Sequence, residues 1–117
     1  MTIKEIVSLI QQGESRTLEL KKTTGEIQEA MHSACAMLNS NGGYLIFGVT
    51  PKSLRLVGQQ VTDNTRQEIA NALVHFDDTE RRTAAHVTEQ FGRTQRFITC
   101  LIYSYRHSSN PFLSYFS

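Results

Sequence analysis

The sequence predicts an α+β fold, a two-layer α/β sandwich in which a mixed sheet of about four to five strands carries its helices mostly on one face. Three observations predict it. The helix-start pattern Thr-x-x-Glu occurs at Thr2 with Glu5, at Thr23 with Glu26 and at Thr65 with Glu68, and in each a hydroxyl and a carboxylate can satisfy backbone donors that a helix start leaves open. Short apolar or alternating runs separate these signals, as strands require. The last third then reads as two long strands joined by a tight loop, which makes an antiparallel hairpin.

Taken in order, the first helix is expected from about residue 3 to 12, stopped by Gly13 as a left-handed cap. Leu18 and Leu20 alternate with Thr17, Glu19 and Lys21, so the first strand has one apolar face and turns Glu19 and Lys21 together toward solvent. In the second helix Ile27, Ala30, Met31, Ala34, Cys35 and Leu38 recur at the helical period and define the buried stripe. That helix should end near Asn39, with Gly42-Gly43 making the turn into a nearly continuous apolar strand at 44–49. A strand, helix and strand in succession favour a parallel crossover. Residues 54–57 suggest a brief extra strand, and the third helix places Ile69, Leu73 and Phe76 on one face with Asn71 and His75 off it. Strands at 84–91 and 95–105 close the fold around Gly92-Arg93, a loop read as needing a positive φ at its first position.

With 117 residues the chain has material for one core, so a single domain over 1–117 is expected, with residues 1–13 as an N-terminal helix and 108–117 as a tail. Hydrophobic residues at 39% and charged ones at 20% exclude a disordered chain. No leader-like N-terminus and no bilayer-length apolar run is present, so a cytoplasmic protein without membrane contact is expected. Cys35 and Cys100 stand apart from any C-x-x-C pattern and read as small core residues in a reducing compartment. His32, His75, His86 and His107 show no metal-ligand spacing. The net charge of +1 gives no whole-protein field, so any anion site must arise from local clustering.

Three blocks in order carry a resemblance. They are Gly13-Glu14-Ser15-x-x-x-Glu19-Leu20-Lys21, the stretch from Ala34 through Asn39, Gly42-Gly43 and Gly48-Val49, and Leu56-Val57-Gly58. Their joint spacing is similar to the Schlafen-type AlbA_2 family, the Alba-like modules described as DNA-binding. The resemblance implies a β-α-β-α-β-β core behind an extra N-terminal helix. It also implies a nucleic-acid-binding module of the kind found in bacterial transcriptional regulators and helicase-related proteins. In the animal Schlafens the module is an endoribonuclease in which two glutamates act with a third acid after the G-V strand. Here Thr50-Pro51 stand where such acids are often found.

The leading expectation is therefore a nucleic-acid-binding module, DNA ahead of RNA, working as a homodimer through backbone phosphates with little sequence readout. Its contacts are expected from the local basic sets Arg16, Lys21-Lys22, Lys52 with Arg55, and Arg93 with Arg96. Arg81-Arg82 follow Asp77, Asp78 and Glu80 and are partly cancelled. The apolar last strand with its aromatic tail is the expected dimer surface. No cofactor is required. An alternative is a metal-dependent endonuclease in which Glu14 and Glu19 hold Mg²⁺ or Mn²⁺ beside Lys21, and a third is a protein-interaction module. Gly42-Gly43 is read as a turn, since no G-K-[ST] follows to make a phosphate loop.

Overall fold

A computed structural model describes residues 1–39, 42–74 and 83–104 of the chain. Helix α1 (Ile3–Ile10) is followed by strand β1 (Leu18–Lys21), a 3-10 turn (Thr24–Glu26), helix α2 (Ile27–Leu38), strand β2 (Gly43–Phe47), helix α3 (Asp63–Leu73) and strands β3 (Thr83–Phe91) and β4 (Arg96–Ser104). The strands form one four-stranded sheet in the order β1-β2-β4-β3. β1 and β2 are parallel with Leu18 opposite Tyr44, while β4 runs antiparallel to both β2 and β3. This is the mixed α/β sandwich expected. Residues 54–57 contribute only an isolated bridge, Val49 with Leu56, and no fifth strand.

Each face of the sheet buries its own cluster. On one, Leu45, Phe47, Ile98, Cys100 and Ile102 meet Ala30, Ala34 and Met37 of α2 and Ile69 and Leu73 of α3. On the other, Leu18, Leu20, Tyr44, Ile46 and Leu101 meet Ile6 and Ile10 of α1. The alternation Leu-Glu-Leu-Lys in β1 sends its leucines to α1, and β2 is covered on both sides, which explains its unbroken apolar run. Among the described residues no helix is long and apolar enough to cross a membrane.

Several local expectations are corrected. Thr2 caps α1 as read, its hydroxyl accepting from the Glu5 amide. The third helix, however, starts a turn early: Thr62 is the cap, and Thr65 is its capping-box partner rather than the cap itself. Both side chains are threonine hydroxyls, so the pattern lacked the glutamate by which such boxes are recognised. The β3–β4 loop spans residues 92–95, closed by the Gly92 amide donating to Gln95 O at 2.9 Å, and Gly92 has no positive φ; four loop residues relieve the strain that a two-residue turn imposes. Cys35 is exposed, not core. Met37 takes the buried place instead, because α2 meets the sheet along Ala30, Ala34 and Met37. Phe76 and His75 lie outside the described residues, as does the tail.

Gly42 has φ +80° and its amide closes α2 by donating to Met37 O at 2.9 Å, while Gly43 opens β2. A Cβ on Gly43 would stand 2.6 Å from Thr17 O and 2.9 Å from Met37 Sδ. The paired glycines thus serve a helix end and a close approach to β1, as a turn reading requires.

Candidate nucleic-acid interface

The strand register determines which loops share an end of the sheet. Lys21 is opposite Phe47, and Phe47 is opposite Ile98, so the ends of β1 and β2, the start of β4 and the end of β3 all lie together. Three loops leave this end: residues 22–26, the turn at 50–55, and the β3–β4 tip. The turn is closed by the Thr50 amide on Arg55 O at 3.0 Å and the Leu54 amide on Thr50 O at 2.8 Å.

Gln59 ties these loops to one another. Its side-chain oxygen accepts from the Thr24 amide at 2.9 Å, its side-chain nitrogen donates to Thr24 Oγ1 at 3.0 Å, and its backbone exchanges both hydrogen bonds with Arg96. Beside it, Gly48 O accepts from the amides of Val57 and Gly58 at 2.9 and 2.7 Å. The Gly48-Val49 and Leu56-Val57-Gly58 blocks are therefore two halves of one backbone crossing. A Cβ on Gly58 would lie 2.2 Å from Gln95 Cβ, so the crossing admits no side chain there. Outside it opens a polar cleft of about 460 Å³ whose lining includes Gln59, Gln60, Thr94, Gln95 and Arg96.

The basic residues divide accordingly. Lys22, Lys52, Arg55 and Arg93 are exposed on the three loops of this end, and none forms an ion pair within the described residues. Lys21 and Arg96 belong to the same end but are engaged. Lys21 Nζ lies 3.4 Å from both Glu19 Oε1 and Glu29 Oε2; burial works against its charge, but these carboxylates prevail and raise its pKa. Arg96 reaches Glu89 at 3.8 Å and covers the Phe91 ring at 4.9 Å. Arg16 sits in the turn before β1, at the opposite end. Arg81 and Arg82 lie outside the described residues.

The face of β1 expected to look toward solvent is half covered. The side chains of Lys21 and Glu19 retain 14% and 22% of their exposure, because α2 lies over the strand and brings Glu29 to Lys21. Glu14 is elsewhere occupied: its Oε1 accepts from the Leu20 amide at 3.1 Å, on the free edge of β1. Among the described residues no group of three or more His, Cys, Asp or Glu stands close enough to hold a metal ion. As arranged, the Glu14 carboxylate holds a backbone amide, and Glu19 and Glu29 both engage Lys21, so these carboxylates are committed to donors of the chain itself.

Sequence reasoning missed two contributors. Gln59 carries no charge and acts across 35 residues of chain to Thr24, so no local pattern announces it. Phe91 reads as one more apolar strand residue, yet it is 63% exposed at the hairpin tip, with Arg96 stacked on it.

These features define an α/β module with a polar cleft and unpaired cations gathered at one end of its sheet. The family model described as Schlafen, AlbA_2 matches residues 14–111, and the chain belongs to that family. Membership points to a nucleic-acid-related domain. Comparison with curated proteins returned no match.

Proposed function

We propose that the chain binds nucleic acid, DNA ahead of RNA, at the end of the sheet that carries Lys22, Lys52, Arg55 and Arg93. The observation that carries this reading is their grouping: residues up to 71 positions apart in the sequence share one end, without acidic partners among the described residues. Each is a point charge that a backbone phosphate can meet, and such contacts supply affinity with little sequence readout. The exposed Phe91, held by Arg96, adds a flat apolar surface on which an unpaired base can stack. The role that goes with this site is the DNA-contacting module of a transcriptional regulator, working in the cytoplasm as a homodimer.

Fluorescence anisotropy with duplex and single-stranded DNA and RNA probes, repeated across salt concentrations, tests it. Binding should weaken steeply with salt, and the log–log slope should fall by about one for each phosphate contact removed. Replacing Lys52, Arg55 and Arg93 by glutamate should abolish binding while Arg16→Glu leaves most of it. Equal binding by the two variants would sink the assignment.

A further inference from the structure

The two edges of the sheet are treated differently. On β1, only Leu18–Lys21 long, most of the outward groups are occupied: Leu18 and Ser15 exchange backbone hydrogen bonds at 3.4 and 3.0 Å, and the Glu14 carboxylate holds the Leu20 amide. β3 is 9 residues long, pairs with β4 in unbroken register, and contains no lysine, proline, glycine or bulge. These are the devices by which natural sheets protect a free edge. The backbone of Gln59 bonds Arg96 on the β2 side of β4. By the alternation of an antiparallel ladder, β4 then turns the amides of Phe97, Thr99 and Leu101 toward β3, which leaves Ala85, Val87 and Glu89 with N–H and C=O pointing outward.

The side chains of these same residues flank an apolar groove between β3 and α3. It consists of two hollows of about 230 and 360 Å³ that share Ala70 and Val87 and extend to Val74. Val87 is 41% and Val74 61% exposed. The one charge on β3, Glu89, is already matched: Arg66 donates to it twice, at 2.8 and 3.0 Å.

We infer that β3 is the surface through which two copies of this chain pair, antiparallel about a two-fold axis at Val87. This register sets Val87 against Val87 and Ala85 against Glu89, giving about six inter-chain backbone hydrogen bonds from the outward groups. No like charges meet, and the two apolar grooves become neighbours on one face of a continuous sheet. An axis at Glu89 would set that carboxylate against itself, which argues for the register at Val87. An isologous contact of this kind closes on itself and leaves no edge for further growth. β4, the last strand among the described residues, is not available for this role: both its edges are paired within the chain. The inference rests on the dimer in the proposed function and not on nucleic-acid binding.

Sedimentation equilibrium of the full chain tests it. The full chain should be a dimer, and Val87→Lys and Val87→Glu should each weaken it by about a hundredfold, since like charges then meet at the axis. Mixing the two variants should restore a dimer, which is a signature of a residue that faces its own copy. Thermal unfolding of each variant monitors the fold, since the side chain at 87 is partly exposed. In a Cys35→Ser background, Val87→Cys should form an inter-chain disulfide on oxidation, because about 5.5 Å between paired Cα atoms suits the bond; this arm decides the matter if the charged variants do not fold. A full chain that is monomeric, including one that instead takes up an extended peptide, would overturn the dimer altogether. A dimer indifferent to both charged variants and not trapped by the disulfide would overturn this interface alone, and neither result touches the salt-dependent binding assay.

Discussion

The side-chain amide of Gln59 meets Thr24 at both of its ends, accepting from the backbone amide at 2.9 Å and donating to the hydroxyl at 3.0 Å. Thr24 is buried, so no water replaces the bond to its amide if Gln59 is cut back. Gln59→Ala should cost about 2 kcal/mol, from two lost hydrogen bonds and an unsatisfied buried donor. It should also loosen the loop that carries Lys22 relative to Arg96. Urea unfolding gives the first quantity. Faster amide exchange at Thr24 and Gly25, with the helices unchanged, gives the second.

Two glycines should respond to alanine for different reasons. Gly43 has ordinary φ but no room, and Gly43→Ala should cost about 2–3 kcal/mol by forcing β1 from β2 or displacing Met37. Gly13 has φ +74°, and a methyl group added there would meet nothing within 4 Å. Gly13→Ala should therefore cost only about 1 kcal/mol, the penalty of a left-handed backbone. Parallel denaturation curves that reversed this order would show that the approach of Thr17 to Gly43 is not a constraint.

The Arg66–Glu89 pair gives the stability a pH dependence of known sign. Hydrogen bonds from Arg66 hold the Glu89 carboxyl below its ordinary value, outweighing the opposing effect of burial. A carboxylate whose pKa is lower folded than unfolded adds stability above the unfolded value, and that addition disappears as the pH falls through the folded one. The full chain should therefore exceed Glu89→Gln in stability at neutral pH, and the gap should close progressively below about pH 4.5. Thermal midpoints of both proteins across this range measure it.

Phe91 separates a stacking contact from general charge attraction. Its ring lies largely in solvent, so Phe91→Ala should barely change the unfolding midpoint. If a base stacks there, affinity for single-stranded probes should fall about tenfold, the effect of losing one aromatic platform, while duplex binding changes little. Equal losses on both probes would assign the ring to shape alone.

Much of this architecture is legible from local pattern. The leucine alternation of β1, the unbroken apolar run of β2 and the helix-start signal of α1 depend on near neighbours, and each of these elements stands where its pattern places it. The Thr23 signal instead caps the 3-10 turn, and α2 starts at Ile27 behind Glu26 without a side-chain cap. Spacing across blocks also reveals the family, because Gly48 and Gly58 must be free of side chains for their segments to cross. What escapes is set by distant packing. The angle at which α2 meets the sheet buries Met37 and exposes Cys35, and periodicity alone does not distinguish those neighbouring helical faces. The pairing of Lys21 with Glu29 and of Arg66 with Glu89 requires knowing which helix lies over which strand. Charge counting treats Lys21 and Arg96 like Lys52 and Arg93, although acidic neighbours from other elements engage the first two.

The two cysteines should differ sharply in reactivity, for the same reason that periodicity misplaces one of them. Cys100 is central in β4 and fully buried, and burial pushes its thiol pKa up to about 12. Attack requires a thiolate, so at neutral pH this group is both uncharged and screened. Cys35 lies on the outer face of α2. In the folded protein an aromatic disulfide reagent should modify Cys35 within minutes and leave Cys100 untouched, with the second equivalent released only on denaturation. The Cys35→Ser variant should then show no rapid phase. A rapid phase that survives that substitution would mean the core opens at β4 far more readily than its packing between two helical layers allows.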